Sequence, residues 1–180
     1  MIIFTGVAGS GKSSQGKMLA DKLGLPWLST GEFLRMLISG QRRKDMLAGL
    51  LLDDQEIITL VRKLFTIIDT DNEFILDGFP RTEAQADWLL NQSKHGQLSI
   101  TAVINMQASE NVVAKRLLTR GRQDDTNESI DQRFKEYRQS MLPILQHFQE
   151  SGVKVIDINA EQTVEEVHEE LIDKVQPLLK

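Results

Sequence analysis

Gly6-Val7-Ala8-Gly9-Ser10-Gly11-Lys12-Ser13 stands between a short apolar run, Met1-Ile2-Ile3-Phe4-Thr5, and a segment from Ser14 to Leu23 with Met18, Leu19 and Leu23 at helical spacing. Glycines at 6, 9 and 11 let the chain wrap an anion with its backbone N–H groups facing inward, where side chains would block the approach. Lys12 adds a point charge for β and γ phosphates. Ser13 can offer its hydroxyl to Mg²⁺ at the start of a helix whose dipole favours negative charge. Strand, glycine loop and helix in this order point to a nucleoside triphosphate; a glycine-rich turn between strand and helix is the plain alternative.

The rest of the composition narrows the class. A length of 180 residues suits one domain, and 41% hydrophobic with 26% charged residues is ordinary for a soluble globular chain. There is no cysteine, so neither a disulfide nor a thiolate metal site can form. The start of the chain has no basic segment followed by a signal-like apolar stretch, and no run approaches a membrane span, so the cytoplasm is the expected location. A net charge of -5 argues against general affinity for nucleic acid or anionic membrane, so the arginines that matter must act locally.

Strands and helices alternate along the chain. Leu25 to Leu28, Phe74 to Leu76 ending at Asp77, Ile100 to Ile104 and Val153 to Ile156 read as further strands, brief and apolar as strands covered on both faces should be. Helices are expected from Ser29 to about Gly40, Asp53 to Ile68, Ser109 to Thr119, Thr126 to Gln149 and Thr163 to about Val175, the last with a Thr163-x-x-Glu166 capping box. This pattern predicts an α/β fold with a central five-stranded parallel sheet flanked by helices, its ligands beyond the carboxyl ends of the strands.

Two further stretches follow strands: Ser29-Thr30-Gly31-Glu32-Phe33-Leu34-Arg35 and Asp77-Gly78-Phe79-Pro80-Arg81-Thr82-Glu83-Ala84-Gln85. With the glycine loop they resemble the signature segments of adenylate kinases and other nucleoside monophosphate kinases. The resemblance continues through Arg116-Leu117-Leu118-Thr119-Arg120, Arg122-Gln123-Asp124-Asp125 and Arg133, so it covers nearly the whole chain in order. It implies a P-loop NTPase fold in a single domain, 1–180, with an acceptor-binding insert at about 30–59 and a very short lid at about 120–126.

Site roles follow from the same resemblance. Gly9, Ser10, Gly11, Lys12, Ser13, Ser14, Arg116 and Arg120 would bind ATP, with Arg116 stacking on its adenine. Thr30, Arg35, Leu52, Gly78, Arg81, Gln85, Arg122 and Arg133 would bind AMP: Arg35 and Arg81 on the phosphate, Thr30 near the base, Gln85 on the adenine edge, and the backbone of Gly49-Leu50-Leu51-Leu52 along the base pocket. Lys12, Arg81, Arg120, Arg122 and Arg133 would surround the transferring group. Ser13 or Ser14 would ligate Mg²⁺, and Asp77 would hold it through water; which hydroxyl does so stays open. Arginine forks suit phosphoryl oxygens whatever the family, and a phosphate acceptor with a second pKa of about 6 is its own nucleophile, so no general base is required. His95, His147 and His168 accordingly read as solvated helix or loop positions.

The chain departs from the family pattern in places. Ala8 replaces a common proline, Ser13-Ser14 a common Gly-Thr, Glu32 a common aspartate and Asp53 a common proline. Only Gly121 separates Arg120 from Arg122, where even short-lid members usually have several residues, which raises the expectation of ATP leaking to water. Without cysteine the zinc-bearing long lid of some relatives is excluded. Thr30 points to AMP, because pyrimidine monophosphate kinases of the family typically carry alanine there. A UMP/CMP kinase is the near alternative, and a gluconate-type kinase or a non-catalytic nucleotide sensor the remoter ones; a monomer is expected.

Plainer readings stand beside these. Thr30 can cap a helix, and Thr82 with Gln85 has capping-box spacing. Asp124-Asp125 can be loop charges or can orient the neighbouring arginines. Gln41 to Asp45 reads as a solvated segment, and Trp27, Trp88 and the methionines as packing.

Overall fold

The computed structural model describes residues 1–47, 52–122 and 125–179. Strands β1 (Ile2–Thr5), β2 (Trp27–Ser29), β3 (Ile75–Asp77), β4 (Ala102–Gln107) and β5 (Val155–Asn159) form one sheet, parallel throughout, in the order β2-β3-β1-β4-β5. The helices are α1 (Lys12–Leu23), α2 (Thr30–Leu37), α3 (Gly40–Leu47), α4 (Asp54–Phe65), α5 (Glu83–Lys94), α6 (Glu110–Arg120), α7 (Asn127–Glu136), α8 (Leu142–Glu150) and α9 (Val164–Val175). The α/β class and five-stranded parallel sheet expected from the sequence are those of the structure. No helix among the described residues is long and apolar enough to cross a membrane.

Strand order places the site. The order reverses at β1, which lies between β3 and β4, and such a switch point opens a crevice beyond the strand ends. Phe4 pairs with Asp77 on one side and Ile104 on the other, so the loops leaving β1 and β3 open at one level while β4 runs on beside them to Gln107.

Alternating strand residues divide the core in two. Ile3, Leu76 and Val103 pack with α4, α5 and α8 through Val61, Leu89 and Phe148, whereas Ile2, Phe4, Ile75 and Ile104 pack with α1 and α9 through Leu19 and Leu171. Burying each of these side chains contributes roughly 1.5–3 kcal/mol, so both helical layers are held firmly on the sheet. A third cluster, Val7, Val113, Leu117, Ile130 and Phe134, sets α6 and α7 against the glycine loop.

Several local expectations need correction. The helix expected from Ser29 to Gly40 stops at Leu37, because Ile38 is extended (φ -94, ψ 146), and α3 begins at Gly40. The long helix expected from Thr126 to Gln149 contains a π-helical stretch, Tyr137–Met141, just before Pro143, which has no N–H to continue the α ladder. β4 and β5 begin two residues later than expected. β5 is an edge strand with Asp157 and Asn159 exposed, so its pattern alternates instead of running apolar. Met36, on α2, is 71% exposed and is not a packing residue, whereas Met106 and Met141 are buried.

The capping chemistry is as the sequence suggests at Thr163, whose hydroxyl and partner Glu166 form a reciprocal box, and at Thr126, which accepts from Ser129 N. Asp53, the departure from the family's proline, is the N-cap of α4 and accepts from Gln55 N and Glu56 N at 3.0 and 3.1 Å.

Candidate active site

The loop after β1 takes its shape from glycines that nothing larger could replace. At Gly6 (φ +130) a Cβ would lie 2.5 Å from the Met106 carbonyl oxygen, and at Gly9 (φ +90) it would lie 2.7 Å from Leu117 Cγ. Lys12 reaches back over the loop, its Nζ donating to Gly6 O and Val7 O at 2.6 and 2.7 Å. Its pKa is lowered to about 8, foremost by loss of hydration; Asp77 opposes the shift, and Arg81, Arg120 and Arg133 add to it. Three arginines distant in sequence therefore act on this one ammonium.

Ser13, in the first turn of α1, donates from Oγ to Asp77 Oδ2 at 2.7 Å. Ser14 is exposed beside it. Asp77 itself is buried at the end of β3, and its carbonyl accepts from Thr30 Oγ1 at 3.2 Å. Thr30 is thus not the cap of α2: its hydroxyl is turned onto the strand end next to Gly78.

One cavity of about 410 Å³ lies over these loops, lined by Gly9 to Ser14 and by six arginines, Arg35, Arg81, Arg116, Arg120, Arg122 and Arg133. Gly78 lines an adjoining cavity of about 90 Å³ together with Lys12, Arg81 and Arg133. Arg81 Nε donates to the Gly78 carbonyl at 3.0 Å, which fixes the root of its guanidinium. Arg116 is anchored to Ala160 O at 2.8 Å, and Arg43 holds the Arg35 carbonyl at 2.9 Å.

The arginines of α6 and α7 are gathered by Asp125, whose side chain is fully buried. Its carboxylate accepts a fork from Arg120 (Nε at 2.8 Å, NH2 at 2.6 Å), the Arg122 amide at 3.0 Å and Arg133 NH1 at 3.3 Å. Burial pushes this carboxyl up, and Arg120, the Arg122 amide and Arg133 more than offset it, leaving its pKa below the usual carboxylate range. Of the Asp124-Asp125 pair, Asp124 and its neighbour Gln123 lie outside the described residues.

Other expected site residues lie elsewhere. Gln85 is 2% exposed, its Oε1 accepting from Arg81 N at 2.8 Å and its Nε2 donating to Asp54 Oδ1 at 2.7 Å. Thr82 caps α5 and also donates to Asp54. Leu52 packs against the core beside α4, and Gly49, Leu50 and Leu51 lie outside the described residues. Gln15, which the motifs do not single out, lines the large cavity and bonds Val164 O at 2.8 Å; a polar residue on the buried side of α1 is the signal that marks it.

The description "Adenylate kinase" belongs to the family model that matches residues 4–153. The chain belongs to the adenylate kinase family. It is 38% identical to an adenylate kinase of Corynebacterium urealyticum over 93% of this chain and 94% of that one. It is 36% identical to adenylate kinase 1 of a Nostoc species, over 94% and 95%, and 32% identical to an adenylate kinase of Leptospira biflexa, over 97% and 98%. The resemblance read from the three sequence segments is borne out over the same span. As an adenylate kinase family member the protein is a phosphotransferase of the nucleoside monophosphate kinase class, and the pyrimidine alternative is not favoured.

Proposed function

We propose that this protein catalyses the reversible transfer of a phosphoryl group from ATP to AMP, giving two ADP, with Mg²⁺ at Ser13 and Asp77. The observation that carries the reading is the convergence of Lys12 and six arginines from five separate stretches on a single cleft at the sheet's switch point. Two polyanions cannot be brought together without such positive charge, and guanidinium forks follow charge spreading over phosphoryl oxygens. Lys12, Ser13 and the loop amides serve the donor phosphates; Arg35 and Arg81 hold the acceptor phosphate; Arg120, Arg122 and Arg133 face the group in transit. Arg116, pinned to Ala160, offers a flat cation to the donor base.

Magnesium fits the donor set. Ser13 Oγ and Asp77 Oδ2 form an all-oxygen pair 2.7 Å apart, and Mg²⁺ at phosphate sites takes its remaining ligands from phosphates and water. Proximity to Asp77 favours Ser13 over Ser14 as the ligand hydroxyl. When bound, the ion neutralises charge on the donor phosphates.

AMP as acceptor rests on Thr30 beside Gly78; Gln85, buried with its amide bonded to Arg81 N and Asp54, supports Arg81 from behind and does not face the base. The acceptor insert is assigned to 30–59 and the lid to 120–126, of which 123 and 124 lie outside the described residues. A cytoplasmic monomer belongs to the same reading, and partners that are small nucleotides, with neither nucleic acid nor membrane, agree with the net charge of -5. Arg35 and Arg81 together speak against a hydroxyl acceptor of the gluconate type, and the full arginine set against a pure sensor.

An acceptor panel with coupled ADP detection tests the reading. AMP should be used far better than CMP, UMP or GMP, and Lys12→Met should abolish transfer while the protein stays folded. Preference for a pyrimidine monophosphate would overturn the acceptor, and undiminished turnover by the Lys12 variant would overturn the site.

A further inference from the structure

We infer that Gln15 is a positioning residue for the donor nucleotide, fixing the wall on which the donor base rests relative to the loop that holds its phosphates. The inference rests on the donor reading of the cleft given above. Gln15 follows directly on the loop hydroxyls Ser13 and Ser14, is 3% exposed and lines the large cavity. Its Nε2 donates to Val164 O at 2.8 Å, across 149 positions of sequence. Val164 is the first residue of α9, half exposed, and lines the same cavity with Ala160 and Arg116. Arg116 is in turn bonded to Ala160 O. A planar cation and small apolar side chains form a surface suited to a base, and Gln15 ties it to the phosphate end.

The hydrogen-bond inventory indicates that this link is kept for geometry more than for stability. The Val164 carbonyl stands where the α9 ladder already supplies it with an N–H four residues on, so the Gln15 bond is a second one to that oxygen. The other end of the amide, Oε1, is buried and has no hydrogen-bond partner among the described residues. An unpaired buried carbonyl is a cost that an apolar side chain of similar shape would avoid. The capping box of Thr163 and Glu166 rigidifies α9 independently, so removing Gln15 shifts the helix start without unravelling it.

Gln15→Met removes both the link and the orphaned oxygen at nearly constant volume. Its melting temperature should stay within about 2 °C of the parent or rise. KM for ATP should increase about tenfold while KM for AMP changes less than about twofold. Inorganic tripolyphosphate, a donor mimic without a base, should compete with ATP equally well against both proteins, while displacement by ATP itself weakens in the variant. Gln15→Glu, able to accept but not donate when ionised, should behave like the methionine variant in KM. Unchanged KM for ATP in folded Gln15→Met, or equal weakening of ATP and tripolyphosphate, would overturn the role assigned to Gln15. If tripolyphosphate fails to compete with ATP even in the parent, the donor reading of the cleft itself falls.

Discussion

Ser13 Oγ donates to Asp77 Oδ2 across 2.7 Å, joining the first helical turn after the phosphate loop to the end of the neighbouring strand β3. Adjacent parallel strands create this pairing: the residues after β1 and the last residue of β3 meet only because Phe4 and Asp77 share a register. In the function proposed above, this hydroxyl and carboxylate serve one divalent ion whose other ligands are phosphates and water. Ser13→Ala should therefore raise the Mg²⁺ concentration needed for half-maximal turnover by about tenfold or more, and Asp77→Asn should do the same. Ser14→Ala should shift it less than about threefold. Magnesium titrations at fixed ATP, repeated on binding of a fluorescent nucleotide, decide between the two serines.

Lys12 connects binding to pH. Burial foremost, then its cationic neighbours, place its pKa at about 8, so the free enzyme loses this charge as pH rises through 8. A bound triphosphate favours the ammonium and must raise the pKa, so binding above pH 8 takes up a proton. The linkage should grow as pH rises through about 8 and fade well below it. Calorimetry in buffers of different ionisation heat measures it directly, and Lys12→Arg, which cannot lose its charge in this range, should abolish it. ATP affinity of the parent should decline with rising pH over the same window.

Much of this site is legible in the sequence because its parts are local. The phosphate loop is written in glycines whose positive φ and close approach to Met106 and Leu117 admit no side chain. The arginines sit in short segments at strand ends, where an α/β sheet delivers them to one crevice. Relationships spanning the fold are not legible in the same way. Gln15 and Val164 are joined only by the packing of α1 against α9, and no local pattern records it. Asp125 can be read as an orienting residue or a loop charge until its burial under three arginine groups is seen. Thr30 has the spacing of a cap, yet its hydroxyl goes to Asp77 O, a choice made by the neighbouring strand. Helix ends at Leu37 and the π stretch at Tyr137–Met141 escape periodicity because each depends on one or two residues.

Asp125 makes the arginine cluster a stability element as well as part of the proposed transfer site. Its lowered pKa means that the native state favours the carboxylate; this contribution is present above the unfolded value near 4 and is lost as pH falls through the lower, folded value. Asp125→Ala leaves Arg120 and Arg133 facing each other without their shared counter-ion. Both arginines keep some solvent contact, so the loss should be about 1–3 kcal/mol, or roughly 3–10 °C in melting temperature. Turnover should fall at least tenfold, because scattered guanidiniums no longer meet the phosphoryl group in a fixed geometry. The parent should lose stability relative to the variant as pH drops below about 4, so the two melting curves converge in acid. Parallel shifts at every pH would show that Asp125 is not titrating against the arginines.

The connection between α6 and α7 sets how well water is kept from the reaction. α6 ends at Arg120, Gly121 takes the left-handed turn (φ +64), Asp125 N donates to Arg122 O at 2.9 Å, and the Thr126 cap follows at once. Five residues, 121–125, are too few for a large flap, and Arg120 is committed to Asp125 by two hydrogen bonds. Closure over the donor phosphates is therefore limited, and limited closure admits water to the γ-phosphoryl group. ATP hydrolysis without acceptor should proceed at more than about one part in a thousand of the transfer rate. Inserting four or five flexible residues after Gly121 should not suppress the leak, since added length without packing excludes no water. Grafting a longer connection together with apolar residues that pack it over the cleft should reduce it. Hydrolysis below that threshold in the parent would mean that the arginine cluster and the Asp125 turn exclude water without a flap.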